Sequence, residues 1–329
     1  MKPLVSVGAL GGTIAMTTTE TGAVTPALDA EDLLAPVPGL DALAEVTSRS
    51  LANLPSPSIL PSHILAALDY AKEMVDGGAA GVVLTHGTDT LEETAYFLDL
   101  LWDREEPIVL TGAMRGANLP GADGPANLLA AIATAIDPAV RGMGTLVVLD
   151  DTIHLARLVS KTHSTAVSAF QSPGWGPIGR IVEGRVRLMY KPATTFPALP
   201  VPGPHEIQIP VIQSPLGDEG RWAYGLALTN PHALVIEASG VGHLSMRTAD
   251  ACEQLVTDGL LVAMVTRTGS GSTTEHSYAY PGSEEDLIAR GIIPGGFLTG
   301  RKLRILLHIL TSAGMDREEI ISEVHRRGQ

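Results

Sequence analysis

Short apolar runs bounded by glycine recur along the chain: Leu4 to Leu10, Gly81 to Thr85, Pro107 to Thr111, Thr145 to Leu149, Ala233 to Ala238 and Leu260 to Thr266. They are continuous rather than alternating, which is the pattern of strands buried on both faces of a parallel sheet. Segments with helical spacing lie between them. Ile64 to Val75 puts Ile64, Leu65, Leu68, Ala71 and Val75 on one stripe, and Leu91 to Leu101 and Asn127 to Ile136 behave alike. Strand and helix alternate, so the expected fold is α/β with mostly parallel sheets.

The alternation stops between Lys191 and Pro215, a stretch holding Pro192, Pro197, Pro200, Pro202, Pro204, Pro210 and Pro215. This predicts a larger N-terminal α/β domain over 1–190, a linker over 191–215 and a smaller C-terminal α/β domain over 216–329. The latter ends in a helix, Thr299 to Ser312, and a charged tail. No solenoid-length repeat is present.

In an open parallel sheet a ligand binds beyond the carboxyl ends of the strands. The segments there are rich in glycine and hydroxyls: Gly11-Gly12-Thr13, His86-Gly87-Thr88-Asp89-Thr90, Gly112-Ala113-Met114-Arg115, Asp150-Asp151-Thr152, Ser239-Gly240-Val241-Gly242-His243 and Arg267-Thr268-Gly269-Ser270-Gly271. Gly11-Gly12-Thr13 allows a tight turn that brings amides and a hydroxyl to a ligand, or simply caps a loop. A dinucleotide fingerprint is excluded by the glycine spacing. Thr88 and Asp89 open a predicted helix, where they either cap it or face a ligand. His86 is a conceivable base, although a histidine packed at a strand end is the commoner arrangement. Lys161 would serve as a base if desolvated, but sequence alone favours an exposed, solvated charge.

Composition narrows the classes. Of 329 residues 45% are hydrophobic, enough for a globular protein with more than one core. The net charge of −14 arises from dispersed acids with no basic block, which argues against nucleic acid as a partner. No apolar run approaches the length of a membrane span. A first segment without signal-peptide character and a single cysteine, Cys252, point to the cytoplasm.

Several segments together, in order and spacing, make the chain resemble the bacterial-type (type I/II) L-asparaginases, in particular cytoplasmic actinobacterial-like members. They are Gly11-Gly12-Thr13-Ile14-Ala15, Thr85 to Ala95, Thr111 to Arg115, Ala122 to Leu128, Lys161-Thr162 and Ala238 to Gly242. The resemblance implies an amidohydrolase that converts L-asparagine and water to L-aspartate and ammonia through an acyl-enzyme, with Thr13 as nucleophile. It also implies that Thr88 works with Lys161 through Asp89, that Asp89 meets the substrate ammonium and that Ser56 holds its carboxylate. No metal or cofactor is implied. The resemblance further implies a homodimer, or a dimer of dimers, in which a second copy completes the site.

Two positions depart from the family pattern: Ala23 stands where a loop tyrosine is expected, and Pro57 where an amide or acid commonly supports the carboxylate. Tyr278 aligns with an acid offered across the subunit contact, with Glu275 three residues earlier, so Tyr278 or Tyr280 is expected to replace the missing tyrosine. Two other readings stay open. The same machinery could act on another amide, such as D-asparagine, a β-aspartyl or capped aspartyl compound or a lactam, or the chain could be an inactive amino-acid-binding relative.

Overall fold

The computed structural model describes residues 2–18, 24–26, 30–203 and 206–329, and the chain divides into two compact units, Met1–Ala198 and Leu199–Gln329. The N-terminal unit contains β1 (Leu4–Ala9), the hairpin of β2 (Met16–Thr18) and β3 (Val24–Pro26), α1 (Ala30–Leu34), α2 (Leu40–Leu43) and β4 (Glu45–Ser50). It continues through α3 (Pro61–Asp76), β5 (Gly81–Thr85), α4 (Leu91–Leu101), β6 (Ile108–Thr111), α5 (Gly124–Ala135), β7 (Thr145–Leu149) and β8 (Thr152–Leu155). Short strands β9 (Ser160–Lys161), β10 (Phe170–Gln171), β11 (Gly179–Val182) and β12 (Arg185–Leu188) follow.

Among the described residues, eight strands of this unit form one sheet in the order β12-β11-β8-β7-β6-β5-β1-β4. From β4 to β7 the pairings are parallel, whereas β7-β8, β8-β11 and β11-β12 are antiparallel. The parallel part follows from sequence: all five residues of β5 and all four of β6 are buried, as expected for strands covered on both faces. The antiparallel part starts at Asp150-Asp151, where φ of 49° and 54° closes a tight hairpin of the kind that matches strand twist. That segment, expected at a ligand-facing strand end, is therefore a turn between strands.

The strand after β1 in the sheet, β4, lies to one side of β1, and the next, β5, lies to the other. The winding reverses there, and at such a switch point an open parallel sheet forms its ligand crevice, here at the carboxyl ends of β1 and β5. Val5, Val7, Val83, Val109, Leu146 and Val148 pack with Leu128 and Ile132 of α5 as the core beneath it.

The C-terminal unit is built from β13 (Val211–Gln213), α6 (Trp222–Ala227), β14 (Ala233–Ala238), α7 (Met246–Thr257), β15 (Leu261–Thr266), α8 (Glu284–Ala289), β16 (Ile293–Pro294), α9 (Gly300–Ser312) and α10 (Arg317–Arg327). Its four strands pair in parallel in chain order, over a core that includes Leu234, Ile236, Val262, Met264, Cys252 and Leu287. The proline-rich stretch 191–215 contains the division between the units and also β13, whose neighbour Ile209 is buried. Among the described residues no helix is long and apolar enough to cross a membrane.

Candidate active site

Backbone contact brings three loops together at the crevice. After β1, Gly11 and Gly12 adopt φ of 102° and 91°, values that L side chains rarely tolerate. A Cβ on Gly12 would lie 2.2 Å from Gly87 Cα, and one on Gly11 would lie 2.6 Å from the amide nitrogen and the carbonyl oxygen of Leu54. The loop after β5 is thus pressed against the loop after β1, with the Ser56 turn beside both. The Leu54 amide donates to the Leu10 carbonyl at 3.3 Å, and the Thr90 hydroxyl donates to the Ser56 carbonyl at 2.8 Å. Thr13, partly exposed, opens a 3-10 turn directly after the two glycines.

The second cluster is formed by Thr88, Asp89 and Lys161. Lys161 Nζ donates to Thr88 Oγ1 at 2.9 Å and to Asp89 Oδ1 at 2.7 Å. Thr88 is buried and the Lys161 side chain is only 13% exposed, whereas Asp89 is 66% exposed. The solvated lysine that sequence alone favours is therefore corrected: the antiparallel pairing of β9 with β10 turns Lys161 onto the Thr88 loop. Capping does not claim Thr88 or Asp89 either, because Thr90 occupies the N-cap of α4. An ion pair with one exposed partner adds little stability, so the arrangement is better understood by what it orients. A lysine within hydrogen-bond reach of a threonine hydroxyl, itself held by a carboxylate, has the form of a hydroxyl, an amine able to serve as base in its neutral form, and an orienting group.

His86 is fully buried behind these loops. Its Nδ1 lies 2.7 Å from the Gly87 carbonyl and its Nε2 lies 2.9 Å from the Thr94 hydroxyl. Burial depresses its pKa to about 4, with the Gly87 carbonyl partly opposing the shift. A neutral ring donating to Gly87 and accepting from Thr94 satisfies both nitrogens, and the histidine fastens the Gly87 turn to α4.

Other residues of the N-terminal unit escaped the sequence reading. Asp123 accepts from the Met114 and Arg115 amides at 3.0 and 2.8 Å, which orders the loop after β6. Asn127 donates to Gly112 O at 3.0 Å and accepts from the Asp150 amide at 3.0 Å. Both residues lie within the Ala122 to Leu128 segment. Their polarity within a helical start was the available signal.

Ser56 is buried at the start of a 3-10 turn and exposed Pro57 follows it as the second residue, within the first turn, where no intrahelical N–H is needed. Ala23 lies outside the described residues.

In the C-terminal unit, Tyr278 and Tyr280 are about half exposed and Glu275 is exposed. The Tyr280 hydroxyl lies 2.9 Å from His243 Nδ1, and His243 Nε2 lies 2.9 Å from Glu284 Oε2. The Tyr278 ring makes edge contacts with the His243 ring, at 5.0 Å between centroids, and with the Tyr280 ring, at 6.1 Å. Glu284 is wholly buried, and its Oε1 accepts from the Thr274 hydroxyl and from the Ser277 and Tyr278 amides at 2.8 to 2.9 Å. Burial alone would raise its pKa. The Glu284 amide, these donors and His243 outweigh that and hold it at about 2. The sequence reading places His243 in a strand-end segment but not beside Glu284, because the two are far apart in the chain and meet only through the fold.

Comparison with known proteins bears on both units. Residues 4–194 match the family model described as Asparaginase, N-terminal, and residues 208–322 match the Glutaminase/Asparaginase C-terminal domain. The chain is 38% identical over 290 residues to a probable L-asparaginase of Deinococcus radiodurans, covering 86% of each protein. It is 31% identical over 319 residues to an L-asparaginase of Bacillus licheniformis, covering 95% of this chain and 97% of that one. Its structure is similar to that of a probable cytoplasmic L-asparaginase from Campylobacter jejuni, with a TM-score of 0.86 and 31% identity, covering 98% of this chain and 99% of that chain.

Proposed function

Because the chain belongs to the asparaginase family, we propose that it hydrolyses L-asparagine to L-aspartate and ammonia by means of a threonine nucleophile. Thr13 Oγ1 attacks the side-chain amide carbon, the proton given up by its hydroxyl passes to the amide nitrogen, the C–N bond breaks with release of ammonia, and a β-aspartyl ester remains on Thr13. Water activated at Thr88 then attacks the ester carbon, the bond from that carbon to Thr13 Oγ1 breaks, and the water's proton restores the Thr13 hydroxyl as L-aspartate leaves. Support for this reading comes chiefly from the Lys161 ammonium, which touches both Thr88 and Asp89. The exposed side of Asp89 has oxygen lone pairs available for the substrate ammonium, and Ser56 is assigned to its carboxylate. Amides of the glycine loops serve the developing oxyanion, where one well-placed donor contributes about 3 to 4 kcal/mol.

Residues 1–190 carry this machinery, and residues 216–329 contribute to a homo-oligomer, a dimer or a dimer of dimers, in which a second copy helps to complete the site. Of the tyrosines and the acid expected there, Tyr280 is favoured over Tyr278 and Glu275, because its hydroxyl is bonded to an imidazole that a buried carboxylate orients. The cytoplasm is the proposed location, in keeping with the single cysteine.

A different amide substrate is the second reading, favoured by Pro57, which offers neither an N–H nor a polar side chain beside Ser56. Ammonia release from L-asparagine, D-asparagine, L-glutamine and β-aspartyl dipeptides separates the two. The expected outcome is the highest kcat/KM on L-asparagine, reduced by Tyr280→Phe. Preference for another amide would replace the substrate assignment, and full activity in both Tyr278→Phe and Tyr280→Phe would remove the tyrosines from the mechanism.

A further inference from the structure

A lysine reaches its partners on a flexible four-carbon stem, so its ammonium is only as well placed as the main chain that carries it. The main chain at Lys161 has little support of its own. Strand β9 is two residues long and, among the described residues, pairs with β10 alone. The further anchor is a side chain: the Lys161 amide donates to Glu92 Oε2 at 2.6 Å. Glu92 is 2% exposed and sits in the first turn of α4, the helix that begins directly after Thr88-Asp89-Thr90.

We propose that Glu92 is the positioning residue of the lysine, a buried carboxylate that clamps the Lys161 main chain to the helix carrying Thr88 and Asp89. The same short helix start therefore fixes both ends of the contact, with the hydroxyl and carboxylate that meet Nζ on one side and the acceptor that holds the lysine backbone on the other. An acid suits this role better than a neutral acceptor. Charge-assisted bonds to an N–H are shorter and about twice as strong as neutral ones. The cost of burying the carboxylate is lessened by its place at a helix N-terminus, where the dipole favours negative charge.

The inference rests on Lys161 acting in the reaction, as proposed above, and its test separates the two. Steady-state ammonia release is measured for Glu92→Leu and Glu92→Gln, each in the native and the Lys161→Met background, with thermal melts to verify folding. Glu92→Leu is expected to lower kcat about a hundredfold, the scale of a roughly 1 Å misplacement, with KM unchanged. Glu92→Gln, which keeps an oxygen acceptor, is expected to recover most of that loss. In the Lys161→Met background Glu92→Leu is expected to cost nothing further, because the carboxylate acts only through the lysine. If Glu92→Leu does not fold, Glu92→Gln carries the test, with a lower kcat in the native background and no effect beside Lys161→Met. A native kcat in the folded Glu92 variants, or an equal loss in both backgrounds, overturns the clamp. Full activity in Lys161→Met instead removes the reading of Lys161, and the clamp with it.

Discussion

At the scale of single residues, burial decides which of the ionisable groups near the crevice can do chemistry. His86 is enclosed and both its nitrogens are committed, whereas Lys161 is nearly enclosed but directed at a hydroxyl and a carboxylate. The histidine has a consequence for stability. Its folded pKa is about 4, below the 6.5 of a free imidazole, so between these values the unfolded chain binds the extra proton. Stability is therefore complete above pH 6.5 and falls as the pH drops towards 4, by up to about 3 kcal/mol. The unfolding free energy of the native protein minus that of His86→Gln, measured from pH 7.5 to 4, should show this slope, and a flat difference would contradict it. Glu284 acts in a lower window: its depressed pKa of about 2 contributes stability present above about 4.5 and lost as the pH falls towards 2.

At the scale of elements, the buried strands and the helices with one apolar stripe were legible because each carries its burial in its spacing. β1, β5, β6, β7, β14 and β15 coincide with apolar runs, and α3, α4, α5 and α9 with the predicted helices. Strand β4, Glu45–Ser50, was not legible: it is an edge strand with one apolar residue, held by pairing with β1. The antiparallel strands β8, β11 and β12 escaped for a related reason, since the Asp150-Asp151 turn that directs them reads in sequence as a polar loop. The site was legible as far as its loops, because glycines and hydroxyls cluster at strand ends. The depth of Lys161 was not, because it depends on the partner strand β10 and on Glu92, a residue 69 positions away. The close approach of the loops after β1 and β5 makes Gly12→Ala a sharp probe. Both its positive φ and the 2.2 Å contact with Gly87 oppose a methyl group. Such strain and overpacking cost roughly 1 to 3 kcal/mol each, so a lower melting temperature and a large loss of turnover are expected by calorimetry and ammonia assay. A native melting curve would contradict the contact.

At the scale of the whole molecule, two compact units with separate sheets and cores divide the work proposed for them. The N-terminal unit carries Thr13, Ser56, Thr88 and Asp89 on loops beside its large sheet and sets Lys161, from the separate β9-β10 pair, against Thr88 and Asp89, and the C-terminal unit holds Tyr280 through His243 and Glu284. The family models match residues 4–194 and 208–322, so the chemistry proposed for the first unit belongs to a chain in which both units match the family. The claim on which this depends is that the Thr13 hydroxyl is the attacking group. Its most direct test is ammonia release from L-asparagine by the full-length Thr13→Ala protein, alongside its melting temperature with and without L-asparagine. Turnover is expected to fall by about a thousandfold or more, as when a nucleophile is removed, while the fold and the stabilisation by L-asparagine remain. Turnover by folded Thr13→Ala at the native rate would contradict that claim.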